Sequence, residues 1–254
     1  MSMKTPLVSI ITPCYNAGNV ISETIESVLA QTYQNWELLI CDDCSTDNSV
    51  DVIKTYCEKD SRIKLFSTSQ NTGHPIEPRN ISLSNALGDV IAFLDADDLW
   101  LPTMLAESVV FMMSNNYDIV YSNYEKISWE GKRSNRIIKY KQTATYNDML
   151  KICSVPACIT TIIKRESLGD IKFRNVPIED YTFWLEVFRK GYTAYNTNTV
   201  QGLYRQSKNS RSGDKIDMIS KHWYILRQVE KVGFLSSLYF MMYYGIIGLK
   251  KYLK

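Results

Sequence analysis

Apolar residues fall in two rhythms along the first half of the chain: short unbroken β-branched runs, and longer stretches with an apolar residue every three or four positions. Residues 7–12 (LVSIIT) are a run of the first kind and predict a buried strand ended by Pro13. Ile21, Ile25, Val28 and Leu29 then recur at helical spacing. Residues 36–41 (WELLIC) read as a second strand, 63–66 as a third, 90–94 as a fourth and 118–121 as a fifth. Between them, residues 45–48 offer N-cap chemistry for a helix carrying Val50, Ile53 and Cys57. Pro78 is expected to open a further helix that Gly88 closes, and Pro102 one that runs to about Met113. Strands alternating with helices in this way predict an α/β fold, with a mostly parallel central sheet and helices on both faces.

The second half is less regular. Residues 124–140 suggest a polar hairpin around Glu130 and Gly131, residues 146–153 a short helix and residues 157–164 a strand. Residues 179–190 predict an amphipathic helix with Phe183, Trp184, Val187 and Phe188 on its apolar side, stopped by Gly191. Residues 234–249 are apolar around most of a helix and run into Lys250, Lys251 and Lys254. That is shorter than the ~20 residues a spanning helix needs. Basic residues beside an apolar, Tyr-rich surface suit peripheral attachment of residues 234–254 to an anionic cytoplasmic leaflet. The competing reading packs this helix on the preceding domain or on a second subunit, in a homodimer.

The composition narrows the class. With 254 residues and 45% apolar content, the chain suits one large α/β domain or a domain with a C-terminal appendage. Lys and Arg total 29 against 27 acids, a net charge of +2, so no nucleic-acid partner is expected. Residues 1–6 lack the charged start and apolar stretch of a secretory signal, and the six cysteines are scattered. A cytoplasmic protein is the simplest expectation. Cys41 and Cys44 form C-x-x-C without two further zinc ligands nearby, so Cys41 reads as a buried strand residue.

Candidate chemistry lies where open parallel sheets place ligands, beyond the carboxyl ends of the strands. Thr12-Pro13-Cys14-Tyr15-Asn16 follows the first strand, Asp42-Asp43 the second, and Asp95-Ala96-Asp97-Asp98 the fourth. Two acidic clusters on one edge repel unless a cation or a donor-rich ligand compensates them. Carboxylate oxygens in a D-x-D pattern suit Mg2+ or Mn2+ bridging to phosphates, although acids before Pro102 also fit a helix cap. Asp43 can accept from a nucleobase N–H or a ribose hydroxyl, whereas Asp47 fits an Asx turn. Glu179-Asp180 open the amphipathic helix, either as caps or with a general base for an incoming hydroxyl. Spacing leaves both readings open.

The segments SIITPCYNAG, ICDDCSTDNS, NTGHPIEPRNISLSNALGDVIAFLDADDLWLP and IEDYTFWL occur in this order over about residues 6–210. Together they resemble the family 2 glycosyltransferases of the bacterial surface-polysaccharide type. The resemblance implies a GT-A fold with a Rossmann-like sheet, a nucleotide-diphosphate sugar donor (most commonly a UDP-sugar), Mn2+ or Mg2+, and inversion at the anomeric carbon. It implies a glycan or lipid-linked saccharide as acceptor. It divides the chain into a catalytic domain over 1–212, with a nucleotide-binding half about 1–122 and an acceptor half about 123–212, and C-terminal helices over 213–254.

Residue by residue, the resemblance puts Pro13, Tyr15 and Asp43 at the base and ribose pocket, Arg79 near the nucleotide, Asp95 at the ribose and Asp97 on the metal. Asp180 matches the catalytic base, with Glu179 beside it; Asp98 and Trp184 are expected near donor or acceptor. Many relatives carry a histidine shortly after a Tyr-Arg pair. Here Tyr204-Arg205-Gln206-Ser207-Lys208 has Ser207 in that place, leaving Arg205, Lys208 or Arg211 to hold the diphosphate. His222 lies too far along to substitute, and His74 reads as an exposed loop histidine. Ser207 keeps a non-catalytic nucleotide-sugar binding protein open, and a polyprenyl phosphate is an alternative acceptor. A nucleotidyltransferase would want a Gly-rich loop after the first strand, where residues 12–18 hold one glycine. With no Q-x-x-R-W segment and no series of long spans, a processive synthase is disfavoured.

Overall fold

The unbroken apolar runs form strands buried on both faces, and the edge run 63–67 a part-buried one, in a computed structural model that describes residues 5–152, 156–206 and 215–250. β1 (Val8–Cys14), β2 (Trp36–Asp42), β3 (Ile63–Ser67) and β4 (Val90–Phe93) lie parallel in the order β3-β2-β1-β4. Successive side chains of a strand point to opposite faces. Ile10, Leu38, Val90 and Ala92 therefore enter one core, shared with α1 (Ile21–Leu29), α2 (Ser49–Lys59) and α4 (Met104–Asn115). Ile11, Leu39, Ile91 and Phe93 enter the other, shared with α3 (Ile76–Ser84), α5 (Tyr146–Ile152), α6 (Arg165–Leu168) and α7 (Glu179–Arg189). Each of these side chains larger than alanine contributes about 1.5–3 kcal/mol on burial, so both faces need a helical layer.

Beyond β4 the sheet is mixed. β9 (Ile162–Lys164) runs antiparallel to both β4 and β6 (Ile119–Ile127), and β6 pairs in parallel with β10 (Ala194–Arg205). β5 (Leu99–Trp100) and β8 (Thr143–Ala144) are two-residue strands antiparallel to β10, and β7 (Arg133–Ile138) makes the expected hairpin with β6. The carboxyl ends of β1, β2, β4, β6 and β10 share one edge. Strand order reverses beside β1, the arrangement that opens a ligand crevice at that edge.

Several boundaries differ from expectation. Pro13 lies inside β1, opposite Cys41. The Cys14 carbonyl accepts from the Asp43 N–H toward β2, so Pro13 faces the β4 side, where pairing has already ended at Ile11 and Phe93. Its missing N–H breaks no ladder bond there. α3 begins two residues before Pro78, which sits in the first turn, where an N–H has no helical partner. The helix ends at Ser84, not Gly88. Gly88 instead serves a close approach, because a Cβ there would lie 2.6 Å from the Leu7 carbonyl oxygen and 2.7 Å from the Ser9 nitrogen. α4 starts at Met104, after the short strand β5, and residues 157–164 divide into a 3-10 turn (Cys158–Thr160) and β9. Cys41 is buried as expected, and Cys44 lies 3.5 Å from the Thr68 carbonyl oxygen; Cys153 is outside the described residues.

α8 (Lys215–Tyr224) continues through a π-turn (Ile225–Val229) to α9 (Phe234–Lys250). α9 turns Ser237 and Phe240 inward and packs on α5 and α8, while Phe234, Leu235, Leu238, Tyr239 and Met242 stay exposed. No described helix is long and apolar enough to cross a membrane.

Candidate active site

A cleft of about 680 Å³ opens at the reversal of strand order, over the carboxyl edge of the sheet. Residues 13–17, at the end of β1 and just beyond it, form one wall, with the Tyr15 ring half-exposed. The next loop braces this segment: the Asn16 and Ala17 N–H groups donate to the Ser45 and Ser49 hydroxyls, both at 2.8 Å, and Asn16 Oδ1 accepts from the Thr46 N–H at 2.8 Å. Asn16 has φ +46°, a conformation asparagine tolerates better than most residues. Asp43 lies at the floor. Its carboxylate accepts from the Thr68 hydroxyl at 3.0 Å and from the Thr72 N–H at 3.1 Å, so the loop after β3 fixes its orientation. Asp47 makes the expected local turn, accepting from the Ser49 N–H at 3.0 Å, and also accepts from the Gly18 N–H at 2.9 Å.

The centre of the cleft is a buried cation among acids. Arg79 is 4% exposed; its Nη2 donates to Asp95 Oδ1 at 2.6 Å and its Nη1 lies 3.8 Å from Glu179 Oε1. Burial pushes its pKa down, but Asp95 and Asp180 outweigh that and raise it, so the guanidinium stays charged. Nε and Nη1 are buried without a hydrogen-bond partner among the described residues, an unusual state for buried donors and one a ligand would relieve. Asp180 follows Glu179 in the first turn of α7 and accepts from the Tyr181 N–H at 2.8 Å. Burial and the neighbouring Glu179 raise its pKa above the ordinary carboxylate value. Ile178, just before, is in the left-handed region at φ +53°, an uncommon state for a β-branched residue that turns the chain into this helix at the cleft wall.

Asp97 also faces the cleft, its pKa pushed up to about 6 by burial and then by Asp95. Among the described residues no group of three or more His, Cys, Asp or Glu stands ready for a metal ion. Mg2+ or Mn2+ held with a phosphate-bearing ligand takes one or two carboxylates and completes its shell with phosphate and water. Asp97, with Asp95 beside it, has the donor chemistry, and a cation would relieve their repulsion.

The structure thus brings Pro13, Tyr15, Asp43, Arg79, Asp95, Asp97, Glu179 and Asp180 to one cleft. Four expectations are corrected. Trp184 is 1% exposed, with its ring edge-on to Phe93 and its indole N–H 3.3 Å from Cys158 Sγ, so it packs the core and does not line the cleft. Asp98 is buried away from the cleft wall and accepts the Arg205 backbone N–H at 2.9 Å. The Arg205 guanidinium is engaged by protein: Nε donates to the Asp97 carbonyl at 2.8 Å, Nη2 to Glu23 at 2.8 Å, and Nη1 to the Trp129 carbonyl. Arg205 does line the cleft, but with these contacts it does not present the free fork a diphosphate wants. His74 is half-buried on the cleft wall rather than an exposed loop residue. Ser207, Lys208 and Arg211 lie outside the described residues. Trp129, Tyr204, Met218 and Lys221 also line the cleft, unanticipated from sequence. Trp129 alone carried a signal, an aromatic beside the turn of a polar hairpin.

The acid-lined cleft thus sits at the switch point of the parallel half of the sheet, where open α/β sheets bind their ligands. Residues 9–186 match Glycosyl transferase family 2, and the chain belongs to that family. It is 35% identical over 247 residues to a putative teichuronic acid biosynthesis glycosyltransferase, TuaG, of Bacillus subtilis, covering 97% of each chain. It is 39% identical over 251 residues to the Escherichia coli UDP-Glc:alpha-D-GlcNAc-diphosphoundecaprenol beta-1,3-glucosyltransferase WfgD, covering 97% of this chain and 95% of the other. Among solved structures, S. aureus TarS 1-349 in complex with UDP-GlcNAc shares the fold with a TM-score of 0.71 at 19% identity, covering 93% of this chain and 70% of that one. The mannosyltransferase PcManGT of Pyrobaculum calidifontis, in complex with GDP-Man and Mn2+, does so with a TM-score of 0.65 at 19% identity, covering 91% and 66%.

Proposed function

We propose that this glycosyltransferase moves a sugar from a UDP-sugar, with inversion, to a hydroxyl of a diphosphate-lipid-linked saccharide in cell-surface polysaccharide synthesis. The observation that carries the reading is the convergence of Asp43, Asp97 and Asp180, from three separate stretches of chain, on one cleft around the under-bonded Arg79. The UDP-sugar and the lipid diphosphate follow the relative that uses both, and a neighbour in fold that binds UDP-GlcNAc. Residues 1–212 then act as the catalytic domain, the donor held mainly by residues 1–122.

In this mechanism Asp43 and the residues around Tyr15 hold the nucleoside, and Asp95, tied to Arg79, meets the ribose. Bound on Asp97, Mn2+ or Mg2+ would neutralise charge developing on the leaving diphosphate. Asp180 takes the proton from the acceptor hydroxyl, whose oxygen attacks the anomeric carbon opposite the nucleotide. Its raised pKa suits a general base better than an ordinary carboxylate does. A single displacement inverts the centre and needs no covalent intermediate. Because the acceptor is anchored in lipid, residues 234–254 are proposed to rest on the anionic cytoplasmic face of the membrane. The exposed apolar stripe of α9 and the absence of acids in this segment support that contact.

The test is UDP release by purified protein with a UDP-sugar, Mn2+ and a short-chain lipid diphosphate saccharide. Asp180→Asn is expected to lower turnover by about 10²–10⁴ while UDP binding is kept. Transfer by this variant at the unsubstituted rate would remove Asp180 as the base.

A further inference from the structure

Arg205 ends β10 with both its backbone and its side chain tied to the loop that follows β4. Its backbone N–H donates to the Asp98 carboxylate at 2.9 Å, and its Nε–H to the Asp97 carbonyl at 2.8 Å. The same guanidinium reaches Glu23 on α1 at 2.8 Å and the Trp129 carbonyl at the tip of the β6–β7 hairpin. α1 holds the loop a second time, through the Thr24 hydroxyl on the Ala96 carbonyl at 2.9 Å. The Arg205 side chain is fully buried, whereas Glu23 is half-exposed. Three segments distant in sequence therefore meet on one buried cation. Two of them present a side chain to the cleft, the Asp97 carboxylate and the Trp129 indole.

We infer that Arg205 is a positioning residue: it sets the direction of the Asp97 carboxylate and the seat of the Trp129 turn, with Glu23 as the counter-charge that keeps the guanidinium on the loop. The inference rests on the donor site proposed above. Buried hydrogen bonds to a charged group hold geometry tightly, and side chains that orient a metal ligand commonly affect metal affinity by 10–100-fold.

The test separates positioning from direct diphosphate contact. UDP binding is measured by calorimetry with and without Mn2+ for the unsubstituted protein, Glu23→Gln and Arg205→Lys. Glu23→Gln keeps side-chain volume at a half-exposed site, so it spares the fold. Both variants are expected to bind UDP without metal within about twofold of the unsubstituted protein, while the gain in UDP affinity on adding Mn2+ falls about tenfold. A full Mn2+ gain in Glu23→Gln, or a tenfold loss of metal-free UDP binding in Arg205→Lys, overturns the inference and leaves the functional reading standing. An unsubstituted protein without any Mn2+ gain overturns the functional reading, and the inference with it.

Discussion

His222 seats α8 against α7 and makes the stability of the fold depend on pH. Its ring is 5.5 Å and edge-on from Tyr181, the residue after Asp180, and 4.5 Å from Tyr244 of α9. The residue is 3% exposed, and Nδ1 is buried without a partner among the described residues. Burial pushes the pKa from 6.5 down to about 4, because a buried imidazolium loses its hydration. The folded value lies below the unfolded one, so the unfolded chain takes up the proton first as pH falls. The associated stability is whole above about pH 6.5 and is lost progressively down to about pH 4. At about pH 5 the linkage relation gives a loss of about 2 kcal/mol. His222→Phe keeps an aromatic ring in place and removes the titration. Denaturant unfolding at about pH 7.5 and about pH 5 is expected to show the unsubstituted protein losing about 2 kcal/mol more than the variant. Asp97, Asp98 and Asp180 have raised pKa values and act in the opposite sense, but both proteins contain them, so they cancel in the difference. Equal losses in the two proteins would refute a neutral, buried His222.

Trp184→Ala is expected to destabilise the fold by about 3–5 kcal/mol in thermal or denaturant unfolding, with the donor KM of the folded fraction within about twofold of normal. A KM effect without a stability effect would restore Trp184 to the sugar site. Arg79→Met leaves Asp95, Glu179 and Asp180 without their buried counter-charge, so it is expected to cost about 3–5 kcal/mol and to abolish UDP binding; unchanged UDP affinity by calorimetry would count against Arg79 at the nucleotide. The triple change Leu235→Glu, Leu238→Glu and Met242→Glu is expected to prevent co-flotation with anionic vesicles without altering UDP binding. If instead it turns a dimer into a monomer in sedimentation and flotation persists, the exposed face of α9 is a subunit contact.

β1, β2, β4 and α1 were legible because their local pattern and their burial agree: a strand covered on both faces reads as a continuous apolar run. That Asp43, Asp97 and Asp180 line one cleft was legible for a related reason, since each abuts an element whose end could be read, while the role expected of Asp180 came from the family resemblance alone. β5 and β8 were not, because two-residue strands exist only through pairing with β10. Met218 and Lys221 gave no local sign of a site. They stand on an ordinary amphipathic helix, and only the packing of the C-terminal helices brings them to the cleft. Trp184 and Arg205 mark the limit most clearly. The chain determined where an aromatic ring and a guanidinium occur, and roughly which element carries each. Whether the ring met a sugar or Phe93, and the guanidinium a diphosphate or Glu23, was decided by segments up to 182 residues away in sequence. A side chain's partners are set by the whole folded surface around it, and that surface has no local signature in the sequence.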